Sequence, residues 1–426
     1  GVAATAISAV FLAGCAPAAE NADTAEPEVT TTEASEISGD ITFSTWWAYA
    51  DQALVDEFEA LYPNVNVTLE FTAIDGYPTK LQALASSGDL PDVFSVQGQP
   101  LVDLAKGGQL YDLQEDLKTP AFDMDGTWGD SFVPSLLSGA NSQLVDIATA
   151  GEVYGLPFNA ISVASIYNQD IFNEVGIQPP TTYDELLSNC EALSAAGYIP
   201  MSLTGAVWGT WWTVLAWDQT MNGTDKANFD VSNPEYIKGL ELVEGMAKAN
   251  CWSESQISTD IDAETSLFLQ KKTAQFVSVP ENFLAKVAED ATFELGTYVL
   301  PALGGAEPNR ILGGGNANVL AVSADSDNKA AAVAFAKFIT SAGVQGKLAE
   351  TLFTIPSINL DVSSGNALMG AFLTAAGNGF VDQSTYFPAM TAEGGTLFNT
   401  EVFPKLILGQ LTAKEAAEAT RDFYTK

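Results

Sequence analysis

The chain contains no histidine among its 426 residues. This absence excludes Ser-His-Asp and Cys-His nucleophilic catalysis, zinc sites built on histidine, and proton relays through imidazole. Basic residues are also scarce, because 17 Lys and Arg stand against 54 Asp and Glu, which gives a net charge of −37. Such a field repels nucleic acid and anionic membrane surfaces, and it favours neutral or cationic small ligands. We therefore expect no nucleic-acid partner.

Cysteine is rare too, and the position of Cys15, one of three, is informative. It ends an uncharged apolar run, and the small residues directly before it are typical of a cleaved bacterial export signal. The 14 residues of that run are too few to span a bilayer, since a spanning helix needs roughly 20.

The segment Leu12-Ala13-Gly14-Cys15 resembles the lipobox of bacterial lipoproteins, in which the Cys becomes the lipidated N-terminus. This resemblance implies that residues 1–15 are a signal-peptide remnant and that a lipid on Cys15 is the only link to the membrane. Because neither Met nor a basic stretch precedes the apolar run, we expect the start of the signal to be missing. A buried Cys in an apolar helix is the alternative.

The two remaining cysteines, Cys190 and Cys251, are candidates for a disulfide in an exported protein. In the chain-entropy model, closing a loop of about 60 residues contributes roughly 4 kcal/mol. Two unpaired buried thiols are the alternative.

Length and composition indicate two domains, because 426 residues with 47% hydrophobic content exceed one ordinary core. Residues 16–39 are rich in acids and lack bases, so we expect a disordered acidic tether there. From Ile41 onward, short alternating apolar runs alternate with segments of helical spacing. This order predicts a mainly parallel sheet flanked by helices, and it fits two α/β lobes better than one.

The expected elements share this periodicity and are bounded by turn residues. The strands are predicted over residues 41–45, 66–72, 92–96, 162–167, 274–279 and 319–323, and the helices over 51–62, 77–87, 182–196, 328–340 and 412–424. Thr412, with Glu415 three residues later, predicts the capped start of the last helix.

Four segments share a recognisable pattern: Gly88-Asp89-Leu90-Pro91-Asp92-Val93, Tyr154-Gly155-Leu156-Pro157, the stretch from Tyr167-Asn168-Gln169-Asp170 to Glu185-Leu186, and Gly313-Gly314-Gly315. Together they resemble motifs of the extracellular solute-binding proteins of carbohydrate ABC importers, a family that includes maltose-binding protein. The likeness extends from Ile41 to the C-terminus. Tyr183 stands where the family usually has Trp, and Lys271-Lys272-Thr273-Ala274 replaces its Gly-rich turn.

The resemblance implies a periplasmic-binding-protein-like fold of type II, with two α/β lobes, a hinge, and a ligand cleft between the lobes. The expected boundaries are 40–157 plus 309–354 for the N-terminal lobe and 158–308 plus 355–426 for the C-terminal lobe. It also implies a monomeric binding protein without catalysis or cofactor, on the extracellular face of the membrane. Such a protein captures an oligosaccharide by hinge closure and delivers it to the permease subunits of an ABC importer.

Aromatic residues follow the first predicted strand at the position where open α/β sheets bind ligands. Trp46, Trp47 and Tyr49 lie there, and their faces could stack on a sugar ring. Helix packing is the alternative. A second group, Trp208, Trp211 and Trp212, has helical spacing, and such a stripe is usually core. The flanking glycines and threonines instead indicate a loop-to-helix entry near the cleft.

Polar candidates follow other predicted strands, where amides and carboxylates could bracket sugar hydroxyls. They are Gln97, Asn159, Glu281, Asn282 and Asn316, with Tyr77 as a weaker candidate. Helix capping or turn formation is the alternative for each polar residue. Trp217 and Trp252 are expected to be structural.

The sequence gives little support for a metal site or a phosphate site. Asp123-Met124-Asp125-Gly126 and Asp325-Ser326-Asp327-Asn328 do not complete an EF-hand loop, and no Gly-Lys-Ser/Thr follows the triple glycine. Two other functions stay open at this point. The aromatic groups could hold a cationic small molecule such as a polyamine through cation–π contacts, or a carboxylate pair could act on glycosides.

Overall fold

A computed structural model describes most of the chain. The described residues are 31–47, 50–73, 76–160, 164–203, 208–221, 232–277, 281–305, 307–313, 318–352, 354–362, 367–378, 380–382 and 397–424. Their strands are β1 (Gly39–Thr45), β2 (Val65–Phe71), β3 (Val93–Val96), β4 (Leu156–Pro157), β5 (Asn159–Ala160), β6 (Ala164–Asn168), β7 (Gln275–Val277), β8 (Leu295–Val299), β9 (Ile311–Gly313), β10 (Val319–Val322), β11 (Ile355–Pro356) and β12 (Phe380–Asp382).

The helices lie between these strands and after them. They are α1 (Thr31–Glu36), α2 (Gln52–Leu61), α3 (Tyr77–Ser87), α4 (Gln99–Lys106), α5 (Trp128–Ser131), α6 (Pro134–Ala140), α7 (Gln169–Val175), α8 (Tyr183–Ala195), α9 (Trp208–Met221), α10 (Pro234–Lys248), α11 (Ile261–Leu269), α12 (Glu281–Asp290), α13 (Lys329–Ile339), α14 (Ala342–Leu352), α15 (Met369–Ala376), α16 (Phe403–Ile407) and α17 (Ala413–Tyr424). In the described part of the chain, no helix is both long and apolar enough to cross a membrane.

A five-stranded sheet in the order β2-β1-β3-β10-β4 forms the first lobe. Its first three strands are parallel, as the β-α-β order predicts, with Phe43 opposite both Leu69 and Val93. The expectation of a mainly parallel sheet is wrong for the rest, because β10 runs antiparallel to β3 and to β4. Strand β10 is reached from the other lobe rather than through a crossover helix, so it enters this sheet from the opposite end.

The second lobe has a smaller sheet in the order β7-β6-β8, and both of its pairings are antiparallel. Helices supply most of its core, which includes Trp217, Met246 and Phe268. The first lobe instead buries both faces of its sheet, with Phe43 in one apolar cluster and Phe94 in another. Phe43 and Phe94 lie on opposite faces of the sheet because Phe94 is paired with Ser44, the neighbour of Phe43, and successive side chains of a strand alternate between faces.

Residues 31–39 are more ordered than the expected acidic tether. Helix α1 lies there, and its Ala34 is buried in the first-lobe core, while Ile37 packs against that core. Asn64 Nδ2 also donates a hydrogen bond to the Ser35 carbonyl. The expectation of disorder up to residue 39 is therefore wrong for this stretch, because composition alone does not show that Ala34 and Ile37 find an apolar surface. Residues 1–30, including Cys15, lie outside the described residues.

Cys190 and Cys251 form a disulfide that joins α8 to the end of α10 across a sequence separation of 61. Both cysteines are fully buried in the second-lobe core. The Cys251 carbonyl accepts a hydrogen bond from the Met201 amide, so the covalent link also positions the chain at residue 201. Thr412 caps α17 as expected, and Glu415 accepts from the Thr412 amide.

Candidate functional site

The carboxyl ends of β1 and β3 lie side by side in the first lobe. Thr45 Oγ1 and Ser95 Oγ, one from each strand end, are 2.7 Å apart and share a hydrogen bond. The Trp47 amide donates to the same Thr45 oxygen at 3.0 Å. Because these bonds fix the turn that leaves β1, the two tryptophans after Thr45 start from a defined backbone position.

Trp46 is the half-buried member of the aromatic group that follows β1. Its ring meets those of Trp47 and Tyr77 edge to face, with centroid distances of 5.7 and 4.9 Å. The Tyr77 hydroxyl donates to the Ser44 carbonyl at 2.8 Å, and burial raises the pKa of Tyr77 well above its ordinary value. Tyr77 therefore supports Trp46 as a neutral, hydrogen-bonded ring.

Trp47 and Tyr77 were expected to contact a ligand, and both side chains are buried. Trp47 is 3% exposed and Tyr77 2% exposed. The Trp47 ring stacks on Phe158 with centroids 4.4 Å apart. The structure thus gives these two rings a packing role beneath Trp46 in place of the expected ligand contact. The third aromatic residue of this group, Tyr49, lies outside the described residues.

Amide side chains lie where the chain passes from the first sheet to the second lobe. Asn159 is 1% exposed, and its Oδ1 accepts a hydrogen bond from Asn318 Nδ2 at 2.8 Å. The Phe158 amide donates to the Asn318 carbonyl at the same distance. Asn159 therefore ties two segments together in this arrangement. Gln97, directly after β3, is half-buried.

Trp212 lies in the second-lobe core. Its side chain is 2% exposed, and its ring meets Trp252 at a centroid distance of 5.3 Å. The expected ligand role of Trp212 is therefore replaced by packing, because its part of the helical stripe faces the core. Trp217 and Trp252 are structural, as expected: Trp217 stacks on Tyr236 and donates to its carbonyl.

The remaining candidates lie at the starts of two helices or outside the described residues. The backbones of Trp208 and Trp211 belong to the first turn of α9, and those of Glu281 and Asn282 to the first turn of α12. All four side chains, and the whole of Asn316, lie outside the described residues.

A buried acid that sequence reasoning missed anchors the chain just before the second tryptophan group. Glu264 is fully buried, and it accepts hydrogen bonds from Gln256 Nε2 at 3.0 Å and Thr259 Oγ1 at 2.8 Å. Gln256 also donates to the Met201 carbonyl, and the Thr259 hydroxyl lies 3.1 Å from the Leu203 carbonyl. This cluster fixes residues 201–203, which lead to α9.

Burial raises the pKa of Glu264 to about 7, although hydrogen bonds from Thr259, Gln256 and the Leu203 amide lower it. Desolvation disfavours the charged carboxylate, and these three donors offset only part of that cost. No local signal marks Glu264 within its amphipathic helix. The sequence does indicate the capping box of Ser253 and Gln256, but a capping box does not show which distant groups the Gln256 side chain contacts.

A second missed interaction joins α9 to the segment before β9. Arg310 donates through Nε to Asp218 Oδ2 at 2.8 Å and through Nη2 to Oδ1. The Asp218 side chain is 3% exposed, whereas that of Arg310 is 41% exposed. This bidentate ion pair fixes α9 against residue 310. Asn316 lies six residues later in the sequence. Sequence spacing gives no hint of a pair 92 residues apart.

Within the described ranges, no group of three or more acidic or cysteine side chains is placed to hold a metal ion. The arrangement consists instead of stacked rings, hydroxyls and neutral amides at the edge of a sheet. Such surfaces suit a ligand that offers apolar faces and many hydroxyl groups.

Two proteins similar to this chain are named for the sugars that they bind. The chain is 24% identical over 315 residues to the multiple sugar-binding protein of Streptococcus mutans, with 69% of this chain and 68% of that protein covered. It is 26% identical over 335 residues to a diacetylchitobiose binding protein of Streptomyces coelicolor, with 76% and 74% covered.

A solved chitin oligosaccharide binding protein shares the fold, with a TM-score of 0.72 at 20% identity over 91% of this chain and 98% of that one. This likeness supports two lobes in the periplasmic-binding-protein manner. The family model described as bacterial extracellular solute-binding protein matches residues 43–346, well over half of the sequence. The chain therefore belongs to the family of bacterial extracellular solute-binding proteins.

Proposed function

We propose that this protein captures an oligosaccharide between its two lobes and delivers it to the permease subunits of an ABC importer. The observation that supports this most is the half-buried Trp46, held over Tyr77 and Trp47 at the carboxyl edge of the first sheet. An aromatic face of this kind stacks on the C–H face of a sugar ring. The sugar-binding relatives support the same ligand class.

The ligand-contacting residues that we propose fall into two groups. Trp46 and Gln97 belong to the described first-lobe edge. Asn159, which is 1% exposed and accepts a hydrogen bond from Asn318, ties the crossing together in place of the expected ligand contact. Tyr49, Trp208, Trp211, Glu281, Asn282 and Asn316 remain proposals from the sequence. Trp47, Tyr77 and Trp212 support the site from below, because their rings are buried.

We divide the lobes at residues 40–157 plus 309–354 and 158–308 plus 355–426. Core membership supports this division away from its boundaries: Ala160 and Ile355 belong to the second-lobe cluster, whereas β9, at residues 311–313, pairs with β12 of the second lobe. Phe158 and Ile358 belong to the first-lobe cluster, so the passages between lobes lie at residues 158–160 and 355–358. In our proposal these passages are hinge segments about which a monomer closes on its ligand.

Cys15 is the lipid attachment site in this proposal, and the mature protein lies on the extracellular face of the membrane. Family membership supports an extracellular location. A mass measurement of membrane-extracted protein, with and without the change Cys15→Ala, tests the anchor. A lipid-sized mass increment that disappears in the variant is expected, and an unmodified, released wild type would rule the anchor out.

We propose ligand capture without catalysis, and a thermal-shift screen tests the ligand class. The full chain is heated with oligosaccharides, polyamines or amino acids present. A ligand at 100 times its Kd adds about 2.7 kcal/mol of stability, which a melting curve resolves. A sugar is expected to raise Tm, whereas stabilisation by amines alone would contradict the proposal. Product analysis of the same sugar samples is expected to show no turnover.

Trp46→Leu localises the binding site. Loss of the aromatic face is expected to weaken sugar binding about 5- to 150-fold, because stacking is worth about 1–3 kcal/mol in comparable ring contacts. The matched control is Tyr111→Leu. Tyr111 is also a half-buried first-lobe aromatic, but its amide bonds to the Val322 carbonyl, at the opposite edge of the sheet. Equal weakening in both variants would place the sugar elsewhere.

A further inference from the structure

A single buried amide connects two of the passages between the lobes. Gln345, in α14, is 2% exposed. Its Nε2 donates to the Phe158 carbonyl at 2.7 Å, and its Oε1 accepts from the Ser357 amide at 2.8 Å. Both ends of one side chain are thus occupied by backbone groups that are 199 residues apart in sequence, the difference between 357 and 158.

Each backbone partner of Gln345 lies at a point where the chain changes lobes. Phe158 packs in the first-lobe core, and Ala160, two residues later, packs in the second. Ile355 packs in the second-lobe core, and Ile358 packs in the first. Between them, β5 and β11 pair antiparallel, with Ala160 opposite Ile355. Gln345 therefore holds the first-lobe end of this two-stranded connection.

The third passage between the lobes, which ends at residue 318, is hydrogen-bonded to Phe158 as well. The Phe158 amide donates to the Asn318 carbonyl at 2.8 Å, and Asn318 Nδ2 donates to Asn159 Oδ1. Residue 318 directly precedes β10, which returns to the first-lobe sheet. The ring of Phe158 also lies under Trp47, the neighbour of Trp46. Phe158 is thus bonded directly to the passage at Asn318, linked through Gln345 to the passage at Ser357, and stacked on Trp47 of the candidate site.

We propose that Gln345 is a positioning residue of the hinge, which fixes the pivot of closure by binding the 158 and 357 passages together from α14. This inference rests on the proposed function, because it assigns Gln345 a role in ligand capture by closure. An amide suits the position, since one end must donate to a carbonyl and the other must accept from an N–H. It stays neutral at any pH, so the pivot does not titrate.

If the pivot loosens, the free protein samples more lobe arrangements, and the binding-competent fraction falls. The apparent Kd rises by the inverse of that fraction. Gln345→Glu removes the donor and leaves an oxygen against the Phe158 carbonyl. Gln345→Asn keeps an amide but shortens it by one methylene group, so it cannot reach both partners. The second variant guards against failure of the first to fold.

The matched control is Gln109→Glu. Gln109 Nε2 also donates to a backbone carbonyl, that of Ala85 at 2.9 Å, but both groups lie within the first lobe. Melting temperature reports the structural cost of losing a glutamine bond in each variant. Sugar affinity and the radius of gyration of the free protein, from solution X-ray scattering, report the hinge.

Gln345→Glu or Gln345→Asn is expected to raise the sugar Kd about tenfold and to change the free protein's radius of gyration. Gln109→Glu is expected to lower Tm without either effect. Folded Gln345 variants with wild-type Kd and wild-type radius would overturn the inference. If the wild type binds no sugar, the proposed function fails by itself. The radius of the free variants then decides the hinge: a changed radius supports Gln345 as pivot, and an unchanged one rejects it.

Discussion

The two lobes hold their binding segments by different chemistry. In the first lobe, strand ends, a Thr45–Ser95 hydroxyl pair and the neutral Tyr77 phenol position Trp46. In the second lobe, the chain that leads to α9 is held by the buried acid Glu264 and by a disulfide, and α9 itself by an ion pair. The first arrangement has no group that titrates near neutral pH, whereas the second depends on proton, charge and redox state.

The difference follows from the two cores. The first lobe has a five-stranded sheet whose backbone bonds fix the strand ends directly. In the second lobe, the 201–203 segment has two backbone bonds, from the Met201 amide to the Cys251 carbonyl and from the Ser202 amide to the Gln275 carbonyl. The side chains of Gln256 and Ser202 supply further anchors. We therefore expect changes in the second lobe to have larger effects on stability and stronger dependence on conditions.

The largest expected effect comes from the disulfide. Cys190→Ala/Cys251→Ala opens a link between residues 61 apart, and we expect a loss of about 4 kcal/mol in the free energy of unfolding. Urea denaturation measures it. Reductant should destabilise the wild type by a similar amount and leave the variant unchanged. A variant as stable as the wild type would mean that the second lobe does not depend on its crosslink.

The next effect concerns the ion pair between α9 and residue 310. Asp218→Asn leaves Arg310 without its charged partner, and Asp218 is 3% exposed. We expect about 2 kcal/mol of destabilisation, less than for a fully buried pair because the Arg side is partly solvated. Glu115→Gln, which breaks the exposed Lys118 pair, is the control and should cost under about 0.5 kcal/mol. Equal losses in the two variants would contradict the assigned anchor role.

Glu264 should make the second lobe sensitive to pH. Its pKa of about 7 in the folded protein is raised from 4.5 by burial. The stability it contributes is therefore complete below pH 4.5 and is lost as pH rises through 7. Relative to Glu264→Gln, the wild type should lose about 3 kcal/mol between pH 4.5 and 8.

Glu415 gives the opposite sign and serves as the control for Glu264. Hydrogen bonds from the Thr412 amide and hydroxyl lower the pKa of Glu415. Its contribution is present above the ordinary carboxyl range and is lost as the solution is acidified. Parallel pH profiles for Glu264→Gln and Glu415→Gln would show that burial does not set the behaviour of Glu264.

The smallest effect belongs to the first lobe. Tyr77→Phe removes one hydrogen bond, to the Ser44 carbonyl, and keeps the ring beneath Trp46. We expect about 1 kcal/mol of destabilisation, independent of pH between 5 and 8. Chemical denaturation at three pH values checks this. A pH-dependent loss would remove the contrast between the lobes.

The sequence predicts the local elements of this fold well. Helix α3 begins and ends where its spacing indicates, and β1, β3, α8 and α13 differ from expectation by one or two residues at one or both ends. These segments have clear periodicity and turn residues at their ends. The antiparallel direction of β10 was missed, because local periodicity is the same for either direction of pairing.

The candidate site is less predictable. The aromatic residues after β1 could be picked out, but which ring stays open depends on Phe158, which comes from a distant segment. Gln345 and Glu264 act through partners brought together only by the fold. Asp92, in the Gly88–Val93 motif, also acts through distant partners, because its carboxylate accepts hydrogen bonds from the Thr42 amide and the Ser326 hydroxyl. Asp92 therefore has a structural role.

The most direct test of closure on a sugar is solution scattering of the full chain, free and then saturated with the sugar that gives the largest thermal shift. We expect a smaller radius of gyration in the saturated sample, because the lobes close about the passages at 158–160 and 355–358. An unchanged radius at saturation, with binding verified by calorimetry in the same sample, would contradict it.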